Sequence, residues 1–341
     1  MRSPPHSLHA LSRKQMPYVF VLGNFVQACS WQVPRLPVAG ETLRAAAVHV
    51  EPGGKGLNVA VGLARLGARV DTLIGCGSDA AGRGLLALLR RERIATGYVH
   101  RFAGTSGWGA GMIGADGSNM IAVHPGANAL LGSGHVRQAA PALARAQLVY
   151  GQFETALAAV QTAFAQAHRM GIPTILNPSP WRPPSAGLRR TTHTLIVNQI
   201  EASSLLGLPA APAGIRAFAQ AARAALPALT AAWPALRRLV ITLGASGSLG
   251  FSLHEEESGW HAPARRVRTV DTVGAGDAFA SGYCRAVLAG QSLPDALAWG
   301  NLCGGHVAAR RGALTALPQA EELASWLDGG HIRPARRLHG P

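Results

Sequence analysis

The sequence VDTVGAGDAF at residues 270–279 puts a glycine-rich turn directly before a helix. Apolar residues with helical spacing follow it, so the turn is expected to form the amino terminus of that helix. Gly274 and Gly276 let backbone N–H groups approach an anion, and the unpaired amides and positive dipole of a helix start suit a phosphoryl group. Asp277, in the first turn, could cap the helix or accept a proton from an attacking hydroxyl. From the residues alone both roles of Asp277 stay open.

A second glycine-rich segment, GGKGLN at residues 53–58, also precedes a helical pattern. Three glycines around a lysine and an asparagine are costly in chain entropy unless the backbone must approach another group closely. The spacing is not that of a Walker A loop, which requires GxxxxGK followed by Ser or Thr. A plain strand-to-helix turn is the alternative interpretation.

The rest of the chain alternates short apolar strands with Ala- and Leu-rich helices. This alternation predicts an α/β protein with a mostly parallel central sheet that is covered by helices on both faces. Ligands of such sheets bind at the carboxyl ends of the strands. The predicted strands are 18–22, 70–74, 148–150, 174–176, 195–197 and 239–242, followed by a strand after Pro263; the predicted helices are 58–66, 84–91, 155–170, 199–206, 215–226, 277–288 and 294–310.

Two segments, about 26–50 and 98–123, break this rhythm with short alternating runs, and the second contains the hairpin signal Asp116-Gly117. They predict a small β-sheet that acts as a lid. We expect one domain over residues 17–328, with a disordered extension at 1–16 and a disordered tail at 329–341. Met16, just before the first strand, leaves open whether translation begins at Met1 or Met16.

Composition excludes several classes of protein. The chain has 341 residues, of which 48% are hydrophobic and only 14% charged, so it is not a highly charged disordered chain. We find neither an apolar run of membrane-spanning length nor an apolar segment of signal-peptide type near Met1, which predicts a cytoplasmic protein without a membrane partner. The four cysteines are far apart and form no CxxC pair, which predicts reduced, mostly buried thiols.

The formal charge of +15 could indicate nucleic-acid binding. Of the 32 basic Lys and Arg residues only Lys14 and Lys55 are lysines, and the arginines are scattered as singles or pairs such as Arg265-Arg266. Aromatic residues are not interleaved with them as a stacking platform requires. We therefore predict no specific nucleic-acid partner, although the charge would attract anionic substrates.

The two glycine-rich segments together resemble the signature segments of the ribokinase-like sugar kinases, the PfkB-type carbohydrate kinases. The two occur in the family's order and separation, and the resemblance extends over about residues 17–328. It implies a ribokinase-like three-layer sandwich with a small β-sheet lid, and ATP-dependent phosphorylation of a hydroxyl on a small sugar. The matching segments are GGKGLNVAVGLARLGA (53–68), IAVHPGANALL (121–131), GQFE (151–154), ILNPSP (175–180), VNQIEA (197–202), VITLGASG (240–247), DTVGAGDAFASGY (271–283) and ARRGAL (309–314).

The resemblance implies a role for each matching residue. Asp277 matches the catalytic base, and the backbone of Gly274, Ala275 and Gly276 matches the anion hole for the γ-phosphoryl group. The substrate-binding positions are Gly54, Lys55, Asn58 and Glu154. Taken singly, Glu154 could merely supply negative charge at the start of a helix.

The resemblance also implies which residues bind the phosphoryl donor and the cations. The nucleotide-binding positions are Asn198, Thr242, Gly244 and Asn301, and Asn198 with Glu201 matches the motif that holds Mg²⁺ through water, while Asp271 and Val273 match a monovalent-cation site. The family therefore implies ATP, Mg²⁺ and K⁺, and a homodimer formed through the lid. Taken singly, Asn198 and Glu201 could be a helix cap and an exposed residue, Thr242 a strand residue and Asn301 a surface residue.

The first strand departs from ribokinase. There an Asn and an Asp two residues apart follow the strand, and the Asp binds two sugar hydroxyls; here Val26 and Ala28 occupy those positions. Losing a charge-assisted hydrogen bond costs about 1.5–3 kcal/mol, so ribose is not expected to bind as it does in ribokinase. Phe25, Trp31 and Trp108 are instead candidates for apolar or stacking surface.

Two alternatives to a sugar kinase stay open. One is a nucleoside kinase of the same family, which aromatic residues near the lid would favour. The other is a catalytically lapsed sugar-sensing or nucleic-acid-binding protein, which the intact GAGD sequence at 274–277 disfavours because a sensor needs no base. The sequence does not specify the acceptor or the hydroxyl that is phosphorylated.

Overall fold

The structure is a computed structural model that describes residues 16–116, 118–208, 214–254, 259–328 and 335–338. The expected amino-terminal extension, apart from the exposed Met16, and most of the expected tail lie outside these residues. The described residues form one ten-stranded sheet, one four-stranded sheet and eleven α-helices.

The ten-stranded sheet has the order β14-β13-β12-β11-β10-β9-β8-β1-β4-β5. Neighbours from β11 to β5 pair in parallel, and the remaining three pairings are antiparallel. The prediction of a mostly parallel central sheet is confirmed. The strands are β1 (Tyr18–Leu22), β4 (Arg69–Gly77), β5 (Val99–Phe102), β8 (Leu148–Gln152), β9 (Thr174–Asn177), β10 (Thr194–Asn198), β11 (Arg238–Thr242), β12 (Ser248–Ser252), β13 (Gly259–Ala262) and β14 (Arg336–Arg337).

Helices cover both faces of this sheet, and side-chain alternation along the strands supplies both layers. On β1, Val19 and Val21 join one apolar cluster, whereas Phe20 and Leu22 join the other. The first layer contains α1 (Lys55–Arg65), α2 (Ala80–Arg91), α9 (Ala275–Leu288), α10 (Leu293–Ala308) and α11 (Ala320–Asp328), and the second contains α3 (Ser133–Gln138), α4 (Ala140–Arg145), α5 (Leu157–Arg169), α6 (Ala186–Arg189), α7 (Gln199–Leu206) and α8 (Ile215–Ala232). The three-layer sandwich is thus confirmed.

A separate sheet forms the predicted lid, with the strand order β3-β2-β6-β7. Its strands are β2 (Val26–Val33), β3 (Ala47–Gly53), β6 (Gly107–Gly114) and β7 (Asn119–His124). Strands β6 and β7 pair antiparallel on either side of the predicted hairpin signal. Asp116 accepts a hydrogen bond from the backbone N–H of Ser118, while Gly117 lies outside the described residues.

Three segments differ from the sequence-based expectations. Strand β5, inside the segment predicted as lid, pairs with β4 and belongs to the main sheet. Residues 263–269 form no strand, and several of them line a cavity described below. In the expected tail, β14 pairs with β13, because Leu338 packs against Gly259 and its N–H donates a hydrogen bond to the Gly259 carbonyl.

Two further expectations concern burial and membranes. All four cysteines are described, buried and free of disulfide bonds, as predicted. Among the helices of the described ranges, none has both the length and the apolarity that crossing a bilayer would require.

Candidate active site

Polar residues gather where parallel strands of the main sheet end. Gln152 ends β8, Asn198 ends β10, Thr242 ends β11, and Asn24 follows β1 by two residues. Because these strands are parallel neighbours or near neighbours, their carboxyl ends share one edge of the sheet. Helices α1 and α9 pack against each other, and their first turns also meet at the site.

Asp277 lies in the first turn of α9 and is 6% exposed. Its Oδ2 accepts a 2.8 Å hydrogen bond from Asn58 Nδ2, and its Oδ1 lies 4.0 Å from Lys55 Nζ. Both partners belong to the first turn of α1. Asn58 and Asp277 are 219 residues apart in sequence, so the two glycine-rich segments meet at one carboxylate.

The charges around Asp277 oppose one another. Burial raises the pKa of Asp277, the Lys55 ammonium and the Asn58 amide lower it, and the nearby Glu154 carboxylate raises it; the net pKa is above the ordinary value. Asp277 in turn raises the pKa of Lys55, with smaller contributions from Glu154 and Glu201. A buried carboxylate paired with one ammonium can therefore hold its charge and still accept a proton.

Gly274 caps α9 in the left-handed conformation, at φ 80°. A Cβ added there would lie 2.9 Å from Cα and Cβ of Ala313. Only glycine combines this φ with such close packing, so the turn before Asp277 requires Gly at this position.

The loop before α1 is held by Asn24 and Glu154. Glu154 Oε2 accepts hydrogen bonds from Asn24 Nδ2 at 2.8 Å and from the Lys55 N–H at 3.0 Å. Asn24 Oδ1 accepts from the Gly56 N–H at 2.8 Å and from Gln152 Nε2 at 3.1 Å. The predicted substrate-binding residues are thus brought together, and Asn24 and Gln152, which were not predicted as site residues, position them.

The glycines of this loop permit its close approach to β1. A Cβ on Gly56 would lie 2.5 Å from Gly23 Cα, and one on Gly54, at φ 116°, would lie 2.7 Å from Asn24. Gly54 and Gly56, on either side of Lys55, therefore have a structural reason, and the turn they form presents Lys55 and Asn58 to Asp277.

A cavity of about 820 Å³ opens beside the first turn of α9. All four predicted nucleotide-binding residues, Asn198, Thr242, Gly244 and Asn301, line it, together with Gly276. The size is within the range of about 300–1,000 Å³ that is usual for ligand sites. The predicted donor residues therefore share one cavity that reaches the glycine turn beside Asp277.

The sequence analysis missed part of this cavity. Arg265, Arg266 and Thr269 line it from the segment after β13, and Phe279 and Gly304 line it from the helices. The Arg265-Arg266 pair had been counted as incidental charge, but at this cavity it supplies positive charge where a polyphosphate would be attracted. The only signal in the sequence was its position shortly before the glycine turn.

Comparisons with known proteins identify the family. The model of the pfkB family of carbohydrate kinases matches residues 16–320. The chain belongs to this family. It is 30% identical over 318 residues to a ribokinase of Schizosaccharomyces pombe (89% of this chain, 96% of the relative) and 30% identical over 312 residues to a deoxyribokinase of Salmonella typhi (91% and 98%).

A solved structure is similar as well. The ribokinase of Cryptococcus neoformans in complex with ADP has a TM-score of 0.77 and 26% identity, and the match covers 92% of this chain and all of that chain. As a member of the pfkB family with ribokinase relatives, the protein is a phosphotransferase that acts on sugars.

In this pfkB kinase, Asn198 and Glu201 form a reciprocal cap on α7. Asn198 Oδ1 accepts from the Glu201 N–H at 2.8 Å, and Glu201 Oε2 accepts from the Asn198 N–H at 2.9 Å. The cap interpretation is therefore correct for Asn198, whereas Glu201 is buried and not an exposed helix residue. The Glu201 carboxylate also raises the pKa of Lys55, and a carboxylate beside an amide is a set of ligands that suits a hydrated Mg²⁺.

Asp271 ties the glycine turn of the kinase to the segment after α10. Its Oδ1 accepts a hydrogen bond from the Val273 N–H at 3.0 Å, and its Oδ2 accepts one from the Gly312 N–H at 3.3 Å. Carboxylate and carbonyl oxygens at such a junction fit the chemistry of a monovalent-cation site.

The aromatic residues proposed for the acceptor pocket do not face it. Phe25 is fully buried and lines a cavity of about 410 Å³ with Gln27 and residues of α2. Trp31 and Trp108 share the Gln27 face of the lid, because Trp108 pairs with Gln27 and residues 27 and 31 differ by an even number. Ala28 points to the opposite face, so the prediction that these three residues provide stacking surface is wrong.

The Ala28 face of the lid reaches the core through Glu51, which lies directly opposite Ala28. Glu51 Oε1 accepts a 3.3 Å hydrogen bond from the Ala313 N–H, beside Asp271. Ala313 packs against Gly274, so this contact joins the lid to the support of the glycine turn.

Replacing Glu51 by Ala is expected to loosen the lid. One hydrogen bond contributes about 0.5–1.5 kcal/mol, so amide hydrogen exchange in β3 should become about 2–10-fold faster. Glu51→Gln keeps an acceptor oxygen at this position, so the amide exchange rates of β3 in this variant should stay within about twofold of the wild type. Glu41→Ala removes a lid carboxylate that bonds to Arg35 within the lid and serves as the control. Unchanged exchange in β3 of Glu51→Ala would contradict the role of this contact.

Proposed function

We propose that the protein transfers the γ-phosphoryl group of ATP to a hydroxyl of a small sugar, with a reaction like that of ribokinase or fructokinase. The observation that carries the proposal is the Asp277 carboxylate, which contacts Asn58 and Lys55 and directly follows Gly276, a residue that lines the cavity. The kinase domain would comprise residues 17–328. Relatives named ribokinase and deoxyribokinase support a pentose-sized acceptor.

In the proposed mechanism Asp277 takes the proton of the acceptor hydroxyl. The hydroxyl oxygen then forms a bond to the γ-phosphorus, and the bond from that phosphorus to the bridging oxygen breaks to release ADP. The raised pKa of Asp277 favours this role, because a base of higher pKa binds the transferred proton more strongly. Lys55 keeps the carboxylate from being neutralised before the acceptor binds.

The backbone amides of Gly274, Ala275 and Gly276 would receive the charge that develops on the transferred group. They belong to the start of α9, where amide N–H groups have no partner within the helix and the dipole is positive. Such donors stabilise the transition state more than the ground state if they point at the developing charge. Asn198, Thr242, Gly244 and Asn301 would hold the nucleotide, with Arg265 and Arg266 adding positive charge.

Two cations would support this site. Glu201 and Asn198 would hold Mg²⁺ through water, and Asp271 with the Val273 carbonyl would hold a monovalent cation, K⁺ by the family resemblance. The bound Mg²⁺ would neutralise charge on the phosphates of ATP. The capping pair of α7 orients Glu201 for this, since one of its oxygens is already bonded to the Asn198 N–H.

The test is ADP release from ATP with Mg²⁺ and K⁺ in the presence of separate pentoses, hexoses and nucleosides. The proposal predicts release above the acceptor-free background with at least one free sugar. Release with nucleosides alone would make the protein a nucleoside kinase of the same family. Absence of release with every acceptor would contradict the proposed reaction.

We further propose that two copies associate through the lid. Val48, Val50 and Met120 are 56–58% exposed and lie on the Trp108 face of the lid. Single exposed apolar residues are normal on a monomer, but a cluster of them on one face is typical of a protein–protein interface. Val48→Glu should therefore shift sedimentation from dimer to monomer at micromolar concentration. Met170→Glu, at an exposed methionine after α5, is the control. A wild-type protein that sediments as a monomer would contradict the proposal.

A further inference from the structure

The register of the lid decides which side chains face the site. Ala28 pairs with Glu51 on β3 and with Gly109 on β6, while Val26 pairs with Gly53. Paired residues share a face of a sheet. Since Glu51 on this face contacts Ala313 beside the glycine turn, the face that carries Ala28 is turned toward the proposed active site.

At Ala28, Gly53 and Gly109 this face carries no side chain larger than a methyl group, and the exposed Val123 lies beside them as the partner of Gly109. A Cβ added to Gly109 would meet its nearest atom, Ala28 Cα, only at 4.0 Å, and one added to Gly53 would meet Ala28 Cβ at 3.7 Å. Neither glycine has a left-handed φ, so larger residues could be accommodated there. The lid therefore presents a patch of methyl and backbone surface at Ala28, Gly53 and Gly109.

The polar side chains near this patch are turned elsewhere. Glu51 extends to Gly312 and Ala313, Gln27 lines the cavity on the opposite face, and Asn24 is occupied by Glu154, Gly56 and Gln152. The next polar residues on the same face, Ser30 and its partner His49, lie two residue pairs farther along the lid. A sugar hydroxyl placed against Ala28 would thus find no partner in Gln27 or Asn24, and the Glu51 carboxylate opposite is already directed to the Ala313 N–H.

We propose that the acceptor is a deoxy sugar, which presents a carbon without hydroxyl to the patch at Ala28, Gly53 and Gly109. This inference rests on the proposed sugar-kinase function. A hydroxyl buried without a partner weakens binding by about tenfold or more, whereas a methylene group on the same surface loses no hydrogen bond. The core side of the pocket, with Lys55, Asn58 and Glu154, would still bind the remaining hydroxyls.

The experiment compares kcat/KM for 2-deoxy-D-ribose and D-ribose in the wild type and in Ala28→Asp. We expect the wild type to prefer 2-deoxy-D-ribose by about tenfold or more, and Ala28→Asp to shift the ratio toward ribose by at least that factor. Ala28→Asn supplies a hydrogen-bond partner for a sugar hydroxyl without placing a second negative charge opposite Glu51. It should also shift the kcat/KM ratio toward ribose. Ala47→Asp, on the same face of the lid but four residue pairs from Ala28, is the matched control and should leave the ratio unchanged.

The outcomes separate this inference from the function on which it rests. A wild type that uses ribose as well as 2-deoxy-D-ribose, within about threefold, overturns the deoxy-sugar assignment and leaves the kinase proposal standing. Phosphorylation of thymidine but of neither free sugar overturns the deoxy-sugar assignment and makes the protein a nucleoside kinase of the same family. An unchanged ratio in both Ala28→Asp and Ala28→Asn removes the role of the patch. Absence of ADP release above the acceptor-free background with every acceptor overturns both proposals.

Discussion

Asp277→Asn is expected to lower kcat by about 10²–10⁴-fold while ATP binding is retained. Asn has nearly the shape of Asp and can still contact the Asn58 and Lys55 side chains, but it cannot take a proton from the acceptor. The measurements are steady-state ADP release and calorimetric titration with ATP. A variant with wild-type turnover would rule out Asp277 as the base.

Asp295→Asn is the control for this substitution. Asp295 also lies in the first turn of a helix, α10, where its N–H donates to Ser292 Oγ, but it does not line the nucleotide cavity. Its replacement should leave kcat unchanged. If both variants lost activity equally, the loss would reflect helix capping and not proton transfer.

The pH profile gives a second signature of Asp277. A general base must be deprotonated, so kcat/KM should fall as pH decreases through its pKa. Because burial raises that pKa above the ordinary Asp value of 3.8, the acid limb should lie above it. Constant activity down to about pH 4 would contradict this assignment. The residual activity of Asp277→Asn should lack this limb.

Local sequence was sufficient for the catalytic side of the site. Gly274, Asp277, Lys55 and Asn58 belong to two segments in which glycine spacing and helix starts are both local features, so their surroundings could be predicted before the contact between them was known. The contact between the two segments could not be predicted from local sequence. Only the family resemblance predicted it, and in the structure the packing of α1 against α9 brings the segments together.

The predictions that the structure contradicts concern which strands pair with each other and which face of a strand a side chain occupies. Strand β5 was assigned to the lid because its pairing with β4 joins residues about 25 positions apart, which no local pattern reports. Trp31 was placed near the acceptor, although the three-residue separation from Ala28 puts it on the opposite face of β2. That error could have been avoided from strand periodicity alone. The position of Trp108 required the register of β6 on β2.

The proposed anion hole requires a particular backbone conformation at Gly274, and this requirement can be tested separately from the proposed base. Gly274→Ala forces an alanine into the left-handed region, which costs about 1–2 kcal/mol, and its methyl group would lie 2.9 Å from Ala313. Ala313 would have to move, so the amides at the start of α9 should be displaced. Loss of one well-aimed donor lowers kcat by about 10²–10³-fold, and we expect a decrease of this size.

Two further glycine variants distinguish the effect of backbone strain from the effect of the contact with Ala313. Gly67→Ala has the same backbone strain, at φ 79° against 80°, but no atom lies within 4 Å of the added Cβ; it should lose stability and keep activity. Gly276→Ala has neither strain nor crowding, yet its methyl group would enter the nucleotide cavity, so Tm should hold while ATP binds more weakly. The expected order of Tm is wild type and Gly276→Ala, then Gly67→Ala, then Gly274→Ala. If Gly274→Ala matched Gly67→Ala in both Tm and kcat, the contact with Ala313 would have no part in shaping the anion hole.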